Sequence, residues 1–110
     1  MPFLYKAADV FTITSLYETG SIAVLEALAS GLPVICHDEP NFHALGGPSS
    51  RYVDMTADGA LAAALHDMAV SSQREELGRA SRAYAEETFS EAAVMDRILA
   101  MYREVMAPPR

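Results

Sequence analysis

The hydrophobic positions in the first half of the chain form two short runs on either side of a helical segment. Residues 8–14 predict a buried β-strand and residues 33–36 predict a second one. Between them, large apolar side chains recur every three or four residues over 21–30, which predicts a helix with Ile22 and Leu28 on its apolar stripe. Two strands joined through a helix predict parallel pairing with a right-handed crossover.

The fold class that follows is α/β, with a partial Rossmann-like parallel sheet of about three strands flanked by helices. A segment rich in Pro, Gly and Ser predicts a loop with a short helical turn after Pro40, and residues 51–55 predict the third strand. Because the first strand begins close to the N-terminus, we expect residues 1–110 to form a single incomplete domain. Residues 1–55 would be its βαβ site region and residues 56–110 its helical region.

The second half of the chain has the capping residues and periodicity of three helices. We expect Thr56 to cap the first, Ser72 and Glu75 to form a capping box on the second, and Ser90 to cap the third. In the first of these helices the shared apolar face is Leu61, Leu65, Met68 and Ala69. In the last helix an apolar stripe contains Val94, Ile98, Met101, Tyr102 and Val105.

Composition excludes several classes of partner. The 110 residues carry a formal net charge of −7, from 8 basic and 15 acidic residues, and Lys6 is the one lysine. A chain so acidic and without a basic run is poorly suited to nucleic acid or to an anionic membrane surface. The single cysteine, Cys36, cannot form an internal disulfide framework or a Cys-rich zinc site. With no secretory signal visible in the first ten residues, we expect a cytoplasmic protein.

The longest nearly uncharged stretch, residues 19–36, is interrupted by Gly31 and Pro33 and carries Glu26 near its middle. These residues favour a buried helix followed by a buried strand over a membrane span.

Two carboxylates are the leading candidates for a functional site. Glu18 precedes the helix predicted at 21–30, and Glu26 lies in its second turn, about 40° from Ile22 around the helix axis. A carboxylate at the border of an apolar stripe is costly unless a cleft solvates it or a partner binds it. The alternative is that Glu26 is an ordinary helix-edge residue at the surface.

The residues that open this helix could bind an anion. Thr19, Gly20 and Ser21 lead into the helix, where free backbone N–H groups and the positive end of the helix dipole suit a phosphate. The position also follows a strand, and ligands of open α/β sheets bind at the carboxyl ends of strands. The alternative is a simple N-cap made by Ser21 or Thr19.

The same region resembles the group 1 family of retaining GT-B glycosyltransferases, which use sugar-nucleotide donors. Glu18 and Glu26 reproduce the family's E-x7-E spacing, within ADVF, S-L-Y-E and L-E-A-L-A-S-G-L-P-V-I. Asp38 to Pro40, the segment YVDMTADGALAAAL and Phe89-Ser90 resemble later family elements in the same order. The likeness therefore extends over nearly the whole chain, and the spacing gains its specificity from the sequence around it.

The resemblance implies a role for each residue of the site. The position of Glu18, the candidate catalytic residue, lies by the donor sugar, and that of Glu26 binds the ribose hydroxyls. Thr19, Gly20, Ser21 and Ile22 would hold the diphosphate through backbone N–H groups, which stabilise the charge on the leaving group. The resemblance further implies retention of anomeric configuration, a nucleotide-sugar donor as substrate, no cofactor and no metal.

The resemblance has departures and gaps. The family often has Gly-Phe-Gly after the first Glu, where this chain has residues 19–21, Thr-Gly-Ser; a frequently acidic position is Ala44, and the usual Trp after Phe-Ser is Glu91. The chain matches the latter part of the donor-binding domain, without the acceptor domain or the basic residues that neutralise the diphosphate. We therefore expect no turnover from this chain alone.

Two other hypotheses stay open. The chain could be a non-catalytic oligomerisation or interaction module that assembles through an open sheet edge, either with itself or with the missing glycosyltransferase domain. A small flavodoxin-like regulator is a further alternative, with Asp38 as its phosphoacceptor. The spacing of His37, His43 and His66 fits no zinc pattern, so we expect no metal site there.

Overall fold

The computed structural model describes residues 2–109 and forms a three-stranded sheet with six helices in that range. In chain order the elements are α1 (Pro2–Ala7), β1 (Phe11–Thr12), α2 (Ile22–Ala29), β2 (Val34–His37), α3 (Pro40–Gly46), β3 (Arg51–Val53), α4 (Ala60–Val70), α5 (Arg74–Phe89) and α6 (Glu91–Met106).

The sheet confirms the predicted α/β class and its parallel pairing. The strand order is β1-β2-β3, with Phe11 opposite Val34 and Cys36 opposite Tyr52. The strands are shorter than the hydrophobic runs that predicted them, and β1 has two residues. The backbone N–H of Ile13 nevertheless donates to the Ile35 carbonyl, so the chain stays beside β2 just beyond β1. The carboxyl ends of all three strands therefore lie at one edge of the sheet.

Helices cover both faces of β2, because alternate residues of a strand point to opposite faces. On one face Val34 and Cys36 pack with the buried side of α2 and with Phe42 of α3. On the other face Ile35 packs with Ala64 and Met68 of α4. A strand buried on both sides explains why β2 is an unbroken apolar run.

Helix α2 ends in a Schellman motif at Gly31. Gly31 has a positive φ of 79°, its N–H donates to the Leu28 carbonyl, and the Leu32 N–H donates to the Ala27 carbonyl. This pairing satisfies two of the carbonyls that a helix end leaves free. The motif turns the chain directly into β2 and so fixes α2 relative to the sheet.

Several predicted helix boundaries are wrong. Thr56 does not cap α4, because its N–H and hydroxyl both bond to the Asp54 carboxylate, and the helix begins after Gly59. The capping box of Ser72 and Glu75 is also wrong. The Ser71 hydroxyl accepts from the Gln73 N–H, and α5 starts after Gln73.

At the two ends of the chain, one predicted helix cap is correct and one helix was not predicted. Ser90 caps α6 as predicted, accepting from the Ala93 N–H at 3.2 Å. Helix α1, which precedes β1, was not predicted. It packs through Tyr5, whose ring lies 6.2 Å from that of Phe11.

Three predicted apolar faces are less buried than expected. Ile22 was placed on the buried stripe of α2, yet it is 72% exposed, and Val24, Ala27 and Leu28 fill the core instead. In α4 Leu65 is 39% exposed. The stripe of α6 exists as predicted, but none of the helix's residues is buried.

Within residues 2–109 no helix combines the length and apolar character that crossing a bilayer requires.

Candidate functional site

The candidate site lies where the chain leaves β1 and enters α2. The intervening loop carries Glu18, whose side chain is half-buried, and Thr19 and Gly20, which are exposed. Leu16 and Tyr17 precede them and are 51% and 62% exposed. The loop therefore places one carboxylate among exposed apolar side chains at the carboxyl edge of the sheet, the edge where α/β folds bind ligands.

Ser21 organises the start of α2. It is buried, has extended backbone angles, and its hydroxyl accepts from the Val24 N–H at 3.3 Å, while its carbonyl accepts from Leu25. Ser21 is thus the N-cap that the sequence offered as the ordinary interpretation of this segment. The cap uses one of the N–H groups that the first turn leaves free.

Two donors at this helix end have no protein acceptor among the described residues. They are the backbone N–H groups of Ile22 and Ala23, which the cap does not reach. Each would cost free energy if it were buried away from water; Ile22 is largely exposed and Ala23 is half-buried. The cap and an anion site are therefore compatible, because Ser21 bonds one N–H and leaves its two neighbours available.

Glu26 lies one turn further along α2 and is exposed. It borders a hollow of about 320 Å³ between α2 and the junction of α5 and α6. The lining is mainly apolar: Ile22, Leu25, Glu26, Ala29, Ala85, Glu86, Phe89 and Ser90. A volume near 300 Å³ is the lower end of the range for small-molecule sites.

The two carboxylates do not line this hollow together. Glu26 and Ile22 contribute to it, whereas Glu18 is not among its lining residues. The pairing of Glu18 with Glu26 in one donor site stays a prediction. The roles of Thr19, Gly20, Ser21 and Ile22 stay predictions as well.

Glu26 has a neighbour that sequence analysis missed. Hydrogen bonding with the Glu26 carboxylate raises the pKa of the Tyr5 hydroxyl, with smaller contributions from burial and from the negative charge of Glu26. Tyr5 lies on α1, which the hydrophobic pattern did not reveal, so nothing in the sequence pointed to this pair. The contact links α1 to the exposed face of the site helix.

A second polar cluster follows β2 at the same edge of the sheet. The His43 ring stacks on Tyr52 with centroids 3.7 Å apart, and its Nε2 lies 2.6 Å from the Asp38 carboxylate. The Tyr52 hydroxyl donates to the Gly47 carbonyl at 2.6 Å. Next to them, Nδ1 of His37 accepts from the Met55 N–H at 3.1 Å. Two of the three histidines thus have structural partners in the loops after β2 and β3.

Burial raises the pKa of one member of this cluster, Tyr52, and of Cys36 in β2. It raises the pKa of the Cys36 thiol to about 12, with a further contribution from the charge of Asp38. It likewise raises the pKa of Tyr52 to about 12, although a hydrogen bond with Ser50 acts in the opposite direction. Both groups are therefore held in their neutral forms, and Cys36 has the character of a core residue, as its place in β2 predicted.

Among the described residues, no three His, Cys, Asp or Glu side chains come together as a metal site would require. The expectation that the protein works without a metal stays a prediction.

Comparison with known proteins agrees with the parallel α/β fold described above and identifies the family. Residues 1–83 match the family described as "Glycosyl transferases group 1". The chain belongs to this family, which confirms the resemblance carried by the segment from Glu18 to Cys36.

Individual relatives agree with the family assignment. The chain is 31% identical to spore coat protein SA of Bacillus subtilis, with 94% of the chain and 29% of that protein covered. It is 56% identical to alpha-monoglucosyldiacylglycerol synthase of Streptococcus pneumoniae over 36 residues, which cover 33% of the chain and 8% of that protein.

One solved structure is similar in fold. Sucrose-phosphate synthase from Thermosynechococcus elongatus has a TM-score of 0.80 and 27% identity, over 93% of this chain and 26% of that one. The chain thus spans less than a third of each of these proteins.

Proposed function

We propose that this chain is the donor-binding part of a retaining GT-B glycosyltransferase that takes its sugar from a nucleotide sugar. The observation that carries the proposal is the start of α2. There, the unpaired N–H groups of Ile22 and Ala23 lie between the half-buried Glu18 and the exposed Glu26. The family membership and the likeness to a sucrose-phosphate synthase support it.

The diphosphate of the donor would bind at the N-terminus of α2. The N–H groups of Ile22 and Ala23 and the helix dipole both favour negative charge at this position. Negative charge builds on the diphosphate as the glycosidic bond breaks, so fixed donors stabilise the transition state more than the ground state. Backbone dipoles perform this task without a metal ion or an organic cofactor.

The two carboxylates would bind hydroxyl groups on either side of the diphosphate. Glu18, in the loop, would contact the donor sugar, and Glu26, one turn into the helix, would accept hydrogen bonds from the ribose diol. Glu26 is exposed, so it can receive a ligand, and it lies close enough to Tyr5 to raise the pKa of that hydroxyl.

The negative net charge of the chain indicates that catalysis needs further protein. A net charge of −7 repels an anionic donor, and of the eight basic residues five are the arginines of α5 and α6. We therefore propose that basic residues elsewhere in the complete site neutralise the diphosphate and that the chain alone does not turn over substrate.

A nuclear magnetic resonance titration tests the proposal on the chain as it stands. Labelled protein is titrated with a panel of uridine, guanosine and adenosine diphosphate sugars, with the free sugars as controls. We expect weak binding that shifts the amide signals of Ile22, Ala23 and their neighbours in residues 18–26 and leaves α4 unchanged. The absence of any shift at that helix start at millimolar donor would contradict the proposal.

A non-catalytic interaction module is the second candidate. Strand β1 pairs with β2 on one side, and among the described residues no strand pairs with its other side. Such an edge can accept another strand. A stable, uniform oligomer that gives no response to any nucleotide sugar would favour this function over the enzymatic one.

A further inference from the structure

A carboxylate that the proposed donor site does not use follows β2 at the same edge of the sheet. Asp38 is the first residue after β2, and its side chain is 64% exposed. Its backbone N–H donates to the Val53 carbonyl at 2.9 Å, and its carboxylate lies 2.6 Å from Nε2 of His43. Because both its backbone and its side chain are held, Asp38 is pre-organised for a ligand that donates hydrogen bonds.

The neighbouring carboxylates after β2 and β3 bond to their own loops. Glu39 accepts from a backbone N–H at the start of α3, which caps that helix. Asp54 accepts from both the N–H and the hydroxyl of Thr56, which closes a turn. Asp38 instead contacts a single side chain, and a carboxylate can accept about four hydrogen bonds. Of these three carboxylates, Asp38 therefore has the most capacity left for a ligand.

His43 holds the Asp38 carboxylate in one orientation. An ionised carboxylate can only accept, so Nε2 of His43 carries the hydrogen of this bond. The imidazole ring is itself fixed, because it stacks on the half-buried Tyr52 with centroids 3.7 Å apart and planes inclined by 15°. These contacts engage one oxygen of Asp38, and within residues 2–109 no hydrogen bond reaches the other oxygen.

The register of the sheet brings Asp38 beside the loop that carries Glu18. Thr12 lies opposite Ile35, and the Ile13 N–H donates to the Ile35 carbonyl, so the chain leaves β1 and β2 side by side. Neighbouring strands lie about 4.8 Å apart. Asp38 and Glu18 therefore follow adjacent strand ends at the carboxyl edge. A hexose has hydroxyl groups around its ring, so carboxylates on two adjacent loops can bind different hydroxyls of one sugar.

We propose that Asp38 accepts a hydrogen bond from a hydroxyl group of the donor sugar and that His43 is the residue that positions it. This role rests on the proposed binding of a nucleotide sugar at the start of α2, and it adds a residue that distinguishes one sugar from another. A site built to accept from a particular hydroxyl disfavours a sugar that lacks it, because the buried acceptor is then left unpaired.

Paired titrations separate the contribution of the sugar from that of the nucleotide. Labelled chain is titrated by nuclear magnetic resonance with uridine diphosphate glucose, guanosine diphosphate mannose and adenosine diphosphate glucose, and with the three nucleoside diphosphates alone. We expect the sugar-bearing ligands to shift the amide signal of Asp38 and the imidazole signals of His43. The nucleoside diphosphates should shift residues 18–26 without these signals.

Variants of Asp38 and His43 test the two roles. Asp38→Asn should weaken binding of the sugar-bearing ligand about tenfold, the value of one charge-assisted hydrogen bond, and should not weaken binding of the nucleoside diphosphate. His43→Ala should weaken only the sugar-bearing ligand, by about threefold. His43→Gln should retain more of the affinity, since its amide can still donate to Asp38. Adding His43→Ala to Asp38→Asn should cause no further loss, because His43 acts through Asp38.

Matched controls make the same changes elsewhere on the surface. His66→Ala on α4 and Asp96→Asn on α6 alter exposed residues and should leave both affinities unchanged. Circular dichroism of each variant establishes that the fold is intact.

Two outcomes would overturn the role of Asp38 and leave the proposed function standing. In the first, the ligands shift residues 18–26, but Asp38→Asn leaves the affinity for the sugar-bearing ligand unchanged. In the second, Asp38→Asn weakens the sugar-bearing ligand and the nucleoside diphosphate equally, which would mean that the contact with His43 only supports the fold. If no ligand of the panel shifts the start of α2, the proposed function fails, and the role of Asp38 fails with it.

Discussion

The carbonyl oxygen of Gly31 occupies the place that a side chain on Gly78 would need. A β-carbon built on Gly78 would lie 2.3 Å from that oxygen, well inside van der Waals contact. Gly31 closes the Schellman motif of α2, and Gly78 lies in the first half of α5. Helix α5 thus approaches the end of the site helix as closely as its backbone allows, and this packing fixes the position of α2.

The first prediction is that Gly78→Ala destabilises the fold by about 1–3 kcal/mol, because backbone atoms cannot yield as a flexible side chain could. The substitution would stabilise an exposed helix position by up to about 1 kcal/mol, so a loss identifies the steric contact. Chemical denaturation measures it. Arg79→Ala, at the exposed neighbouring position, is the control and should be nearly neutral. Equal stability of Gly78→Ala and wild type would contradict the close approach.

A second prediction concerns the hydroxyl of Tyr52. Tyr52→Phe removes its bond to the Gly47 carbonyl and should cost about 0.5–1.5 kcal/mol of the free energy of unfolding. Tyr84→Phe removes a bond of similar length, 2.9 Å, to the Ala44 carbonyl, but that bond is exposed and water can replace it. We therefore expect the smaller loss for Tyr84→Phe. A larger loss of stability for Tyr84→Phe than for Tyr52→Phe in denaturant titrations would contradict the greater burial of the Tyr52 hydrogen bond.

A third prediction follows from the raised pKa values of Cys36 and Tyr52. In the folded protein both are about 12, against 9.0 and 10.0 for the free groups, so the unfolded chain releases these protons at lower pH. The stability they contribute is complete below pH 9 and is lost as the pH rises toward 12.

Each group contributes a slope of at most about 1.4 kcal/mol per pH unit in that range. Unfolding measured between pH 8 and 12 should therefore show a steady fall in stability. Cys36→Ala should make the fall shallower from pH 9 upward, whatever its effect at neutral pH. An unchanged slope in this variant would mean that the thiol is not held in its neutral form.

A fourth prediction concerns the contact between the site helix and α1. Glu26→Gln should lower the pKa of Tyr5, because the carboxylate that raises it is then absent. Ultraviolet titration of tyrosinate measures the change, and Tyr5→Phe identifies which of the five tyrosines is responsible. The effect of Glu26→Gln should disappear in the Tyr5→Phe background. A persistent effect there would assign it to another tyrosine.

The hydrophobic pattern predicted the strands of the sheet, but it missed helix α1 and misplaced the start of α4. Strand β2 was predictable because it is apolar on both faces, and α2 because its apolar side chains recur at helical spacing. Helix α1 was missed because six residues with one packed aromatic give no clear period. Thr56 was misassigned because it donates its N–H and hydroxyl to Asp54 in a turn, and α4 begins only after Gly59.

In the candidate site, too, some features follow from local sequence spacing and others depend on how the helices pack. Glu18, Glu26 and the segment between them could be proposed as a site because motif spacing is local information. The contact of Tyr5 with Glu26 depends on how two helices pack, and the hollow beside Glu26 depends on where α5 and α6 cross α2. Neither arrangement is encoded in local spacing. The exposure of Ile22 has the same origin, because the helix rotates to bury Val24 instead.

The central claim is that the start of α2 and its carboxylates bind a nucleotide sugar, and the affinity of the Glu26→Gln variant tests it most directly. Saturation-transfer magnetic resonance compares wild type, Glu26→Gln and Glu87→Gln, the last being the same change at an exposed position of α5. We predict that Glu26→Gln weakens donor binding about tenfold, the value of one charge-assisted hydrogen bond. The same substitution should not change the affinity for a donor whose ribose lacks the 2′- and 3′-hydroxyls. Equal affinities for all three proteins would contradict it.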